Sequence, residues 1–181
     1  MTHDPVTQRA PHKAVIMARG LGTRMRKAAV GVSLTAEQAS AAQAGVKAMI
    51  SLDGRPFLDY VISSLADAGF DQFCLVIGPE HDLIRDYYDS CEKSRVEITY
   101  AIQEQPLGTA DAVAAAEHFA GDDRVLVVNS DNFYPEDAVA RLREVPASAT
   151  LGFTKRAMID QSNIDPERIR AFALLDSDDS G

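Results

Sequence analysis

Short apolar runs alternate along the chain with segments of helical periodicity. Residues 13–18 and 73–77 are continuous apolar stretches, the pattern of strands that are buried on both faces of a sheet. Between them, residues 55–68 carry one apolar stripe at helical spacing, with Pro56 in the first turn and Gly69 after the last. These two periodicities predict a buried strand, a surface helix and a second buried strand.

The same patterns predict the remaining elements. Strands are expected at residues 96–102, 125–128, 150–153 and 169–175. Helices are expected at residues 35–44, 80–90, 109–119 and 136–143. Strands separated by helices of this length form βαβ crossovers, so the predicted fold is a three-layer α/β/α, Rossmann-like domain with a mostly parallel sheet.

The chain is expected to form one domain over residues 13–181. Residues 1–12 are polar and lack the apolar core of a secretory signal, so they are interpreted as a disordered lead-in. Leu174 and Leu175 run into an acidic, turn-like segment, residues 176–181. A strand that enters a hairpin needs a partner strand, and we therefore expect a domain that is incomplete at its C-terminus.

Charge narrows the set of partners. The formal net charge of -9 argues against nucleic acid or an anionic membrane as a general partner, because both require a positive surface. Four cations nevertheless fall close together, which suits a compact polyanion such as a triphosphate: Arg19, Arg24, Arg26 and Lys27. No apolar run approaches the length of a membrane span, and two cysteines without metal-site spacing favour a reducing, cytoplasmic setting.

A glycine-rich loop, residues 20–24, follows the first predicted strand. Its glycines allow backbone N–H groups to approach phosphate oxygens closely, and Arg24 adds a planar cation. The dinucleotide-binding fingerprint is excluded because Met25 occupies its third glycine position. The P-loop is excluded because residues 25–27 are Met-Arg-Lys where it requires Gly-Lys-Ser/Thr.

Four motifs occur in a fixed order: Ala-Arg-Gly-Leu-Gly-Thr-Arg-Met at 18–25, Val-Lys-Ala-Met at 46–49, Gln-Glu-Gln-Pro-Leu-Gly-Thr-Ala at 103–110 and Asn-Ser-Asp-Asn at 129–132. Together they resemble the nucleoside-triphosphate transferase family, the enzymes that make nucleotide sugars from a sugar 1-phosphate. The resemblance covers residues 13 to about 175. It implies a fold of the nucleotide-diphospho-sugar transferase type, with a nucleoside triphosphate and a sugar 1-phosphate as substrates.

The resemblance also implies roles for single residues. Arg24 is expected to bind the β- and γ-phosphates, Lys47 to neutralise charge at the α-phosphate, and Asp131 to hold Mg²⁺, an ion that prefers carboxylate and phosphate oxygens. These three form the predicted catalytic set. The predicted nucleotide-binding set is Ala18, Gly20, Leu21, Gly22, Thr23, Gln103, Gly108 and Thr109.

Several of these assignments have alternatives. Gln105 competes with Gln103 for base recognition, although the spacing to Gly108 favours Gln103. Thr109 is equally well interpreted as a helix N-cap. Taken alone, Lys47 is more typical of a surface lysine, and the run around Asp131 is compatible with a polar turn.

The chain departs from the family pattern in places. Arg19 stands where the family has a small residue, and it either adds a phosphate contact or crowds the loop. A helical segment at about residues 28–45 is inserted before Lys47, as a lid or as a contact in a homo-oligomer. Val46 and Ser130 replace the usual proline and glycine.

Three functions remain to be separated. The first is nucleotidyl transfer to a sugar 1-phosphate by in-line attack on the α-phosphorus. The second is a glycosyltransferase of similar fold that consumes a nucleotide sugar, for which residues 129–131 lack the first acid of the usual Asp-x-Asp motif. The third is a non-catalytic domain that senses nucleotides.

Overall fold

The computed structural model describes residues 10–20, 46–162 and 164–176. The chain divides into two compact units, Met1–Glu144 and Val145–Gly181. The first unit is built on a four-stranded parallel sheet. Its strands are β1 (Lys13–Met17), β4 (Gln72–Ile77), β5 (Glu97–Ile102) and β6 (Val125–Asn129). They lie side by side in the order β5-β4-β1-β6.

Helices lie between these strands and after the last of them. Those described in the first unit are α1 (Phe57–Asp67), α2 (Asp82–Ser90), α3 (Thr109–Ala115), α4 (Glu117–Ala120) and α5 (Glu136–Glu144), with a short 3-10 helix at Lys47–Met49.

Alternate side chains of the central strand β1 enter two separate hydrophobic clusters. Ala14 and Ile16 pack in the larger cluster, which includes the apolar stripe of α1 and buried residues of α2 and α5. Val15 packs in the smaller cluster with Ala112 of α3 and Ala116. Because successive side chains of a strand point to opposite faces, the two clusters lie on the two sides of the sheet. The predicted three-layer α/β/α fold with a parallel sheet is confirmed.

Residues 51–56 form a two-stranded hairpin that the periodicity did not predict. β2 (Ser51–Leu52) pairs antiparallel with β3 (Arg55–Pro56). The two residues between them, Asp53 and Gly54, both have positive φ, 51° and 80°. An Asp-Gly pair is a characteristic two-residue hairpin turn, so the signal was present in the sequence. The predicted helix at 55–68 consequently begins at Phe57.

Other element boundaries also differ from the predictions. The helix predicted at 80–90 begins at Asp82, because residues 78–81 form a turn in which the His81 amide donates to the Gly78 carbonyl. The helix predicted at 109–119 is divided into α3 and α4 at Ala116.

The second unit corrects two predictions. The strands expected at residues 150–153 and 169–175 are absent, and the described elements are the helices α6 (Lys155–Gln161) and α7 (Pro166–Ile169). Asp165 caps α7 by accepting from the Glu167 amide at 2.8 Å, and Pro166 occupies its first turn. This local helix-start signal places Ile169 in a helix. Leu174 and Leu175 are exposed rather than paired in a sheet.

Some predictions lie outside the described residues. They are the lead-in up to residue 9, the loop residues Leu21 to Arg24, the inserted helix at 35–44 and the last five residues. In the parts of the chain that are described, no helix is long and apolar enough to cross a membrane.

Asp59 links α1 to α2. Its two carboxylate oxygens accept hydrogen bonds from the hydroxyls of Tyr87 and Tyr88, each at 2.8 Å. Burial, followed by the charge of Asp59, raises the pKa of the Tyr88 phenol far above its ordinary value. Tyr88 therefore remains a neutral donor throughout the physiological pH range.

We expect Asp59→Ala to lower the free energy of unfolding by about 2–4 kcal/mol, because it removes an ionised acceptor from two hydroxyls, one of them buried. Thermal unfolding followed by circular dichroism measures this change. Asp86→Ala is the matched control, since Asp86 is an exposed acid of α2. Equal unfolding temperatures for the two variants would show that the link contributes no stability.

Candidate active site

A cavity of about 330 Å³ opens at the carboxyl edge of the parallel sheet. Ligands of open α/β sheets bind at this edge, and the volume lies within the range of small-molecule sites. Its walls come from the ends of β1, β5 and β6, the 3-10 helix and the start of α3. The lining residues from β1 and the 3-10 helix are Met17, Ala18, Arg19, Gly20, Lys47 and Ala48. The others are Gln103, Pro106, Gly108, Thr109, Ala112, Asn129, Ser130 and Asp131.

The cavity brings together every predicted site residue that lies in the described part of the chain. They are Ala18, Gly20, Lys47, Gln103, Gly108, Thr109 and Asp131. Leu21, Gly22, Thr23 and Arg24 lie outside the described residues. The structure therefore gives the seven positions a common location, while their individual roles stay predictions.

Lys47 and Asp131 lie beside each other in the wall of this cavity. The distance from Lys47 Nζ to Asp131 Oδ2 is 3.9 Å, and the two side chains are 30% and 49% exposed. A loose pair with this much solvent contributes little stability. Both charges are thus available to exchange their mutual contact for a phosphate or a metal ion.

Gln103 is fixed in its backbone and in its side chain. Its amide donates to the Ile77 carbonyl at 2.8 Å, which extends the pairing of β5 with β4 by one residue. Its Nε2 donates to the Gly108 carbonyl at 3.1 Å and to Asp111 Oδ2 at 2.8 Å. The residue is only 4% exposed. These bonds close the loop between β5 and α3.

Gly108 turns the chain from this loop into α3. Its φ of 109° lies in a region that side chains with a Cβ rarely adopt. A Cβ built on Gly108 would meet no atom within 4 Å. The positive φ of this residue therefore favours glycine, and the absence of a side chain leaves the neighbouring space in the cavity open.

The side chain of Arg19, which follows β1, is bonded to the residue that follows β5. Its guanidinium donates to the Gln103 carbonyl and lies 3.4 Å from the Glu80 carboxylate. The side chain is almost fully buried. The sequence left open whether Arg19 contacts phosphate or crowds the loop, and the structure shows it bonded to protein acceptors beside the cavity.

A tyrosine that the sequence did not single out supports the turn after β6. The Tyr134 hydroxyl accepts from the Asn129 amide at 3.0 Å and from Asn132 Nδ2 at 3.3 Å. The Ser130 amide donates to the Met17 carbonyl at 3.2 Å. Together these bonds fix the backbone before Asp131 and the side chain of Asn132 after it. Their only sequence signal is the short distance from Tyr134 to the polar run.

His81 stabilises the turn after β4. Its Nδ1 accepts from the Gly78 amide at 3.1 Å, which requires the neutral ring. Burial lowers the pKa of His81, and the Glu80 carboxylate, 3.9 Å from Nε2, only partly offsets that effect. Glu80 itself has a lowered pKa, chiefly because of a backbone hydrogen bond. The turn therefore depends on an uncharged histidine.

Comparison with known proteins identifies relatives of this chain. Residues 13–158, most of the sequence, match the family model described as nucleotidyl transferase. The matched range includes all four motifs noted above and every lining residue of the cavity.

Two relatives with assigned activities are similar over much of the chain. The D-glycero-alpha-D-manno-heptose 1-phosphate guanylyltransferase of Aneurinibacillus thermoaerophilus is 30% identical over 125 residues, covering 69% of this chain and 48% of the relative. The UTP–glucose-1-phosphate uridylyltransferase AglF of Haloferax volcanii is 32% identical over 139 residues, covering 76% and 51%. The chain spans about half the length of these relatives.

Solved structures include similar chains with nucleotides. HddC from Yersinia pseudotuberculosis complexed with GMP-PN has 27% identity and a TM-score of 0.53, with 67% of this chain and 48% of that chain covered. The UTP-bound UGPase of Acinetobacter baumannii has 25% identity and a TM-score of 0.54, with 67% and 46% covered.

We expect His81→Asn to make the protein less sensitive to acid. Because the pKa of His81 is lower in the folded protein, the unfolded chain takes up the proton first, and folded stability falls as the pH drops below about 6.5. Asparagine keeps an acceptor for the Gly78 amide but does not titrate. Unfolding temperatures at about pH 7.5 and pH 5.5 should therefore differ less in His81→Asn than in the wild type. The control, His118→Asn, replaces an exposed histidine. If it reduced the difference between the two unfolding temperatures as much as His81→Asn does, the acid sensitivity would not be specific to His81.

Proposed function

The chain belongs to the nucleotidyl transferase family, and we propose that the protein joins a nucleoside triphosphate to a sugar 1-phosphate, giving a nucleotide sugar and pyrophosphate. The names of its relatives support this reaction class, since one is a heptose 1-phosphate guanylyltransferase and the other a glucose-1-phosphate uridylyltransferase. The base and the sugar differ between them, so the family does not determine either substrate.

The observation that carries the proposal is the arrangement of polar groups along one cavity. Gln103 follows β5 at one edge of the sheet, and Asp131 follows β6 at the other edge. Three strand spacings, about 14 Å, separate the two strands. Lys47 lies beside Asp131. A nucleotide fits this layout with its base at Gln103 and its phosphates at Lys47 and Asp131.

The reaction needs positioning and charge neutralisation more than covalent participation by the protein. An oxygen of the sugar phosphate attacks the α-phosphorus, the bond from that phosphorus to the bridging oxygen of the β-phosphate breaks, and pyrophosphate leaves. Lys47 neutralises negative charge that grows on the α-phosphate oxygens. Arg24, assigned from the sequence motif, binds the β- and γ-phosphates and stabilises the leaving group.

Asp131 is the residue proposed to hold Mg²⁺. Its carboxylate is half-exposed and only loosely paired with Lys47. Among the described residues there is no group of three or more histidine, cysteine or acidic side chains that could hold a metal ion. That fits Mg²⁺, which is commonly bound through one or two carboxylates together with substrate phosphates. When bound, the ion would supply further neutralisation of phosphate charge.

The setting proposed for this reaction follows from the composition. A net charge of -9 and two cysteines without metal-site spacing favour a small-molecule enzyme of the cytoplasm that does not bind nucleic acid. Assembly into a homo-oligomer through the insertion at about 28–45 stays a prediction.

Release of pyrophosphate tests the function directly. The protein is incubated with Mg²⁺, each common nucleoside triphosphate and a panel of sugar 1-phosphates. Release that requires both substrates supports nucleotidyl transfer. A parallel incubation supplies nucleotide sugars instead, and their hydrolysis in the absence of any pyrophosphate release would favour a glycosyltransferase. Nucleotide binding without turnover of either kind would favour a sensing domain.

Variants are assayed with the nucleoside triphosphate and the sugar 1-phosphate that together give the fastest turnover. We expect Lys47→Ala and Asp131→Ala each to lower kcat/KM by more than about tenfold, because each removes a charge that stabilises the transition state. Arg24→Ala should have an effect of similar size. Lys155→Ala and Asp137→Ala are the matched controls, since both remove exposed charges that do not line the cavity. A near-normal rate in Lys47→Ala or Asp131→Ala would remove that residue from its proposed role.

A further inference from the structure

We propose that Asp111 is a positioning residue that orients the side-chain amide of Gln103, and that the site thereby prefers bases with a ring N–H, namely uracil, thymine or guanine, over adenine and cytosine. The proposal rests on the proposed function, because it takes the cavity to be the site of a nucleoside triphosphate. Asp111 is not among the lining residues. It would act on the base only through Gln103.

The orientation of the amide follows from its partners. Nε2 of Gln103 is 2.8 Å from Asp111 Oδ2 and 3.1 Å from the Gly108 carbonyl oxygen. A carbonyl and a carboxylate accept hydrogen bonds, and an amide nitrogen has two hydrogens to donate. Rotating the amide by 180° would place Oε1 against two acceptors. The protein therefore determines which end of the amide faces its own backbone.

Three of the four polar atoms of Gln103 have partners among the described residues. The backbone amide donates to Ile77, the backbone carbonyl accepts from Arg19, and Nε2 is bonded as above. Oε1 is the atom left for a ligand. Because Oε1 is an acceptor, the Gln103 side chain offers a nucleobase an acceptor and no donor.

The five bases differ in how they meet such an acceptor. Uracil and thymine carry N3–H, and guanine carries N1–H, at the centre of the pairing edge. Adenine and cytosine have an acceptor nitrogen at the corresponding ring position, which a second acceptor repels. They can reach Oε1 only through the exocyclic amino group, and that shifts the ring while the phosphates stay at Lys47 and Asp131.

Gly108 adds the space for the base. It lines the cavity next to Gln103, and the position that a Cβ would occupy is open. A planar ring can therefore approach the loop backbone beside Oε1. This open face does not discriminate between bases, so the selectivity is assigned to the Gln103 amide.

The test measures nucleotide binding without a sugar phosphate. Dissociation constants of UTP, TTP, GTP, CTP and ATP are determined by calorimetry with Mg²⁺ for the wild type, Asp111→Ala, Asp111→Asn and Glu117→Ala. Asparagine retains an acceptor for Gln103 Nε2. Glu117 is an exposed acid in the first turn of α4, matched to Asp111 in the first turn of α3.

We expect at least one of UTP, TTP and GTP to bind the wild type about tenfold or more tightly than ATP and CTP. Asp111→Ala should reduce that ratio by about fivefold or more, because the amide loses its charged partner. Asp111→Asn should restore most of the ratio, and Glu117→Ala should leave it unchanged. A general loss of stability would weaken the binding of every nucleotide by the same factor. It would therefore leave the ratio of two affinities unchanged.

Several results would overturn the proposal. They are tighter binding of ATP or CTP by the wild type, an unchanged ratio in Asp111→Ala, or equal losses in the Ala and Asn variants. The wild-type panel decides the base preference even if Asp111→Ala does not fold. Selective binding with no pyrophosphate release from any substrate pair would overturn the proposed function alone, whereas turnover that prefers ATP or CTP would overturn the base assignment alone. Absence of all nucleotide binding would overturn both.

Discussion

The register of β1 with its two neighbours is the constraint on which the site depends. β1 pairs with β4 on one side and with β6 on the other, and its central residues are fully buried. The pairing continues beyond the strand ends. Ala18 donates to the Val76 carbonyl and Ser130 to the Met17 carbonyl. Backbone hydrogen bonds therefore determine where the chain turns away from the sheet after β1 and after β6, and these two turns form part of the cavity wall.

The two ends of the cavity are built in opposite ways. At the β5 end, the buried Gln103 has hydrogen-bond partners for its amide, its carbonyl and its side-chain nitrogen. At the β6 end, Lys47 and Asp131 are partly exposed and form only a loose pair. A rigid end suits recognition of a planar base, because fixed hydrogen-bonding groups discriminate by geometry. A loosely paired end suits groups that must exchange contacts as phosphate charge moves.

The sequence predicted most of the first unit, because its buried strands are continuous apolar runs and α1 has a clear apolar stripe. The common location of the seven described candidate residues was also predictable, since most of their motifs follow strands whose ends meet at one edge. The strands expected at 150–153 and 169–175 were wrong, because an apolar run becomes a strand only when another strand pairs with it. There, the Asp165-Pro166 cap favours a helix instead.

The features that could not be predicted from the sequence are hydrogen bonds between residues that lie apart along the chain. Nothing near Asp59 in the sequence indicates that it accepts from two tyrosines of the next helix. The sequence around Asp111 is typical of an ordinary first-turn acid, because such residues favourably oppose the helix dipole. Its contact with Gln103 depends on how the loop between β5 and α3 closes, which in turn depends on the positive φ of Gly108.

Arg19 shows how one departure from the family pattern affects several parts of the site. A nearly buried guanidinium requires acceptors, and Arg19 finds them in the Gln103 carbonyl and the Glu80 carboxylate. The same residue immediately precedes the glycine-rich loop that is predicted to bind the triphosphate. A displacement of Arg19 would therefore remove the hydrogen bond that its guanidinium donates to the Gln103 carbonyl. A hydrogen bond therefore joins the residue before the loop that is predicted to bind phosphate to the residue that is proposed to recognise the base, in addition to the sheet that carries them both.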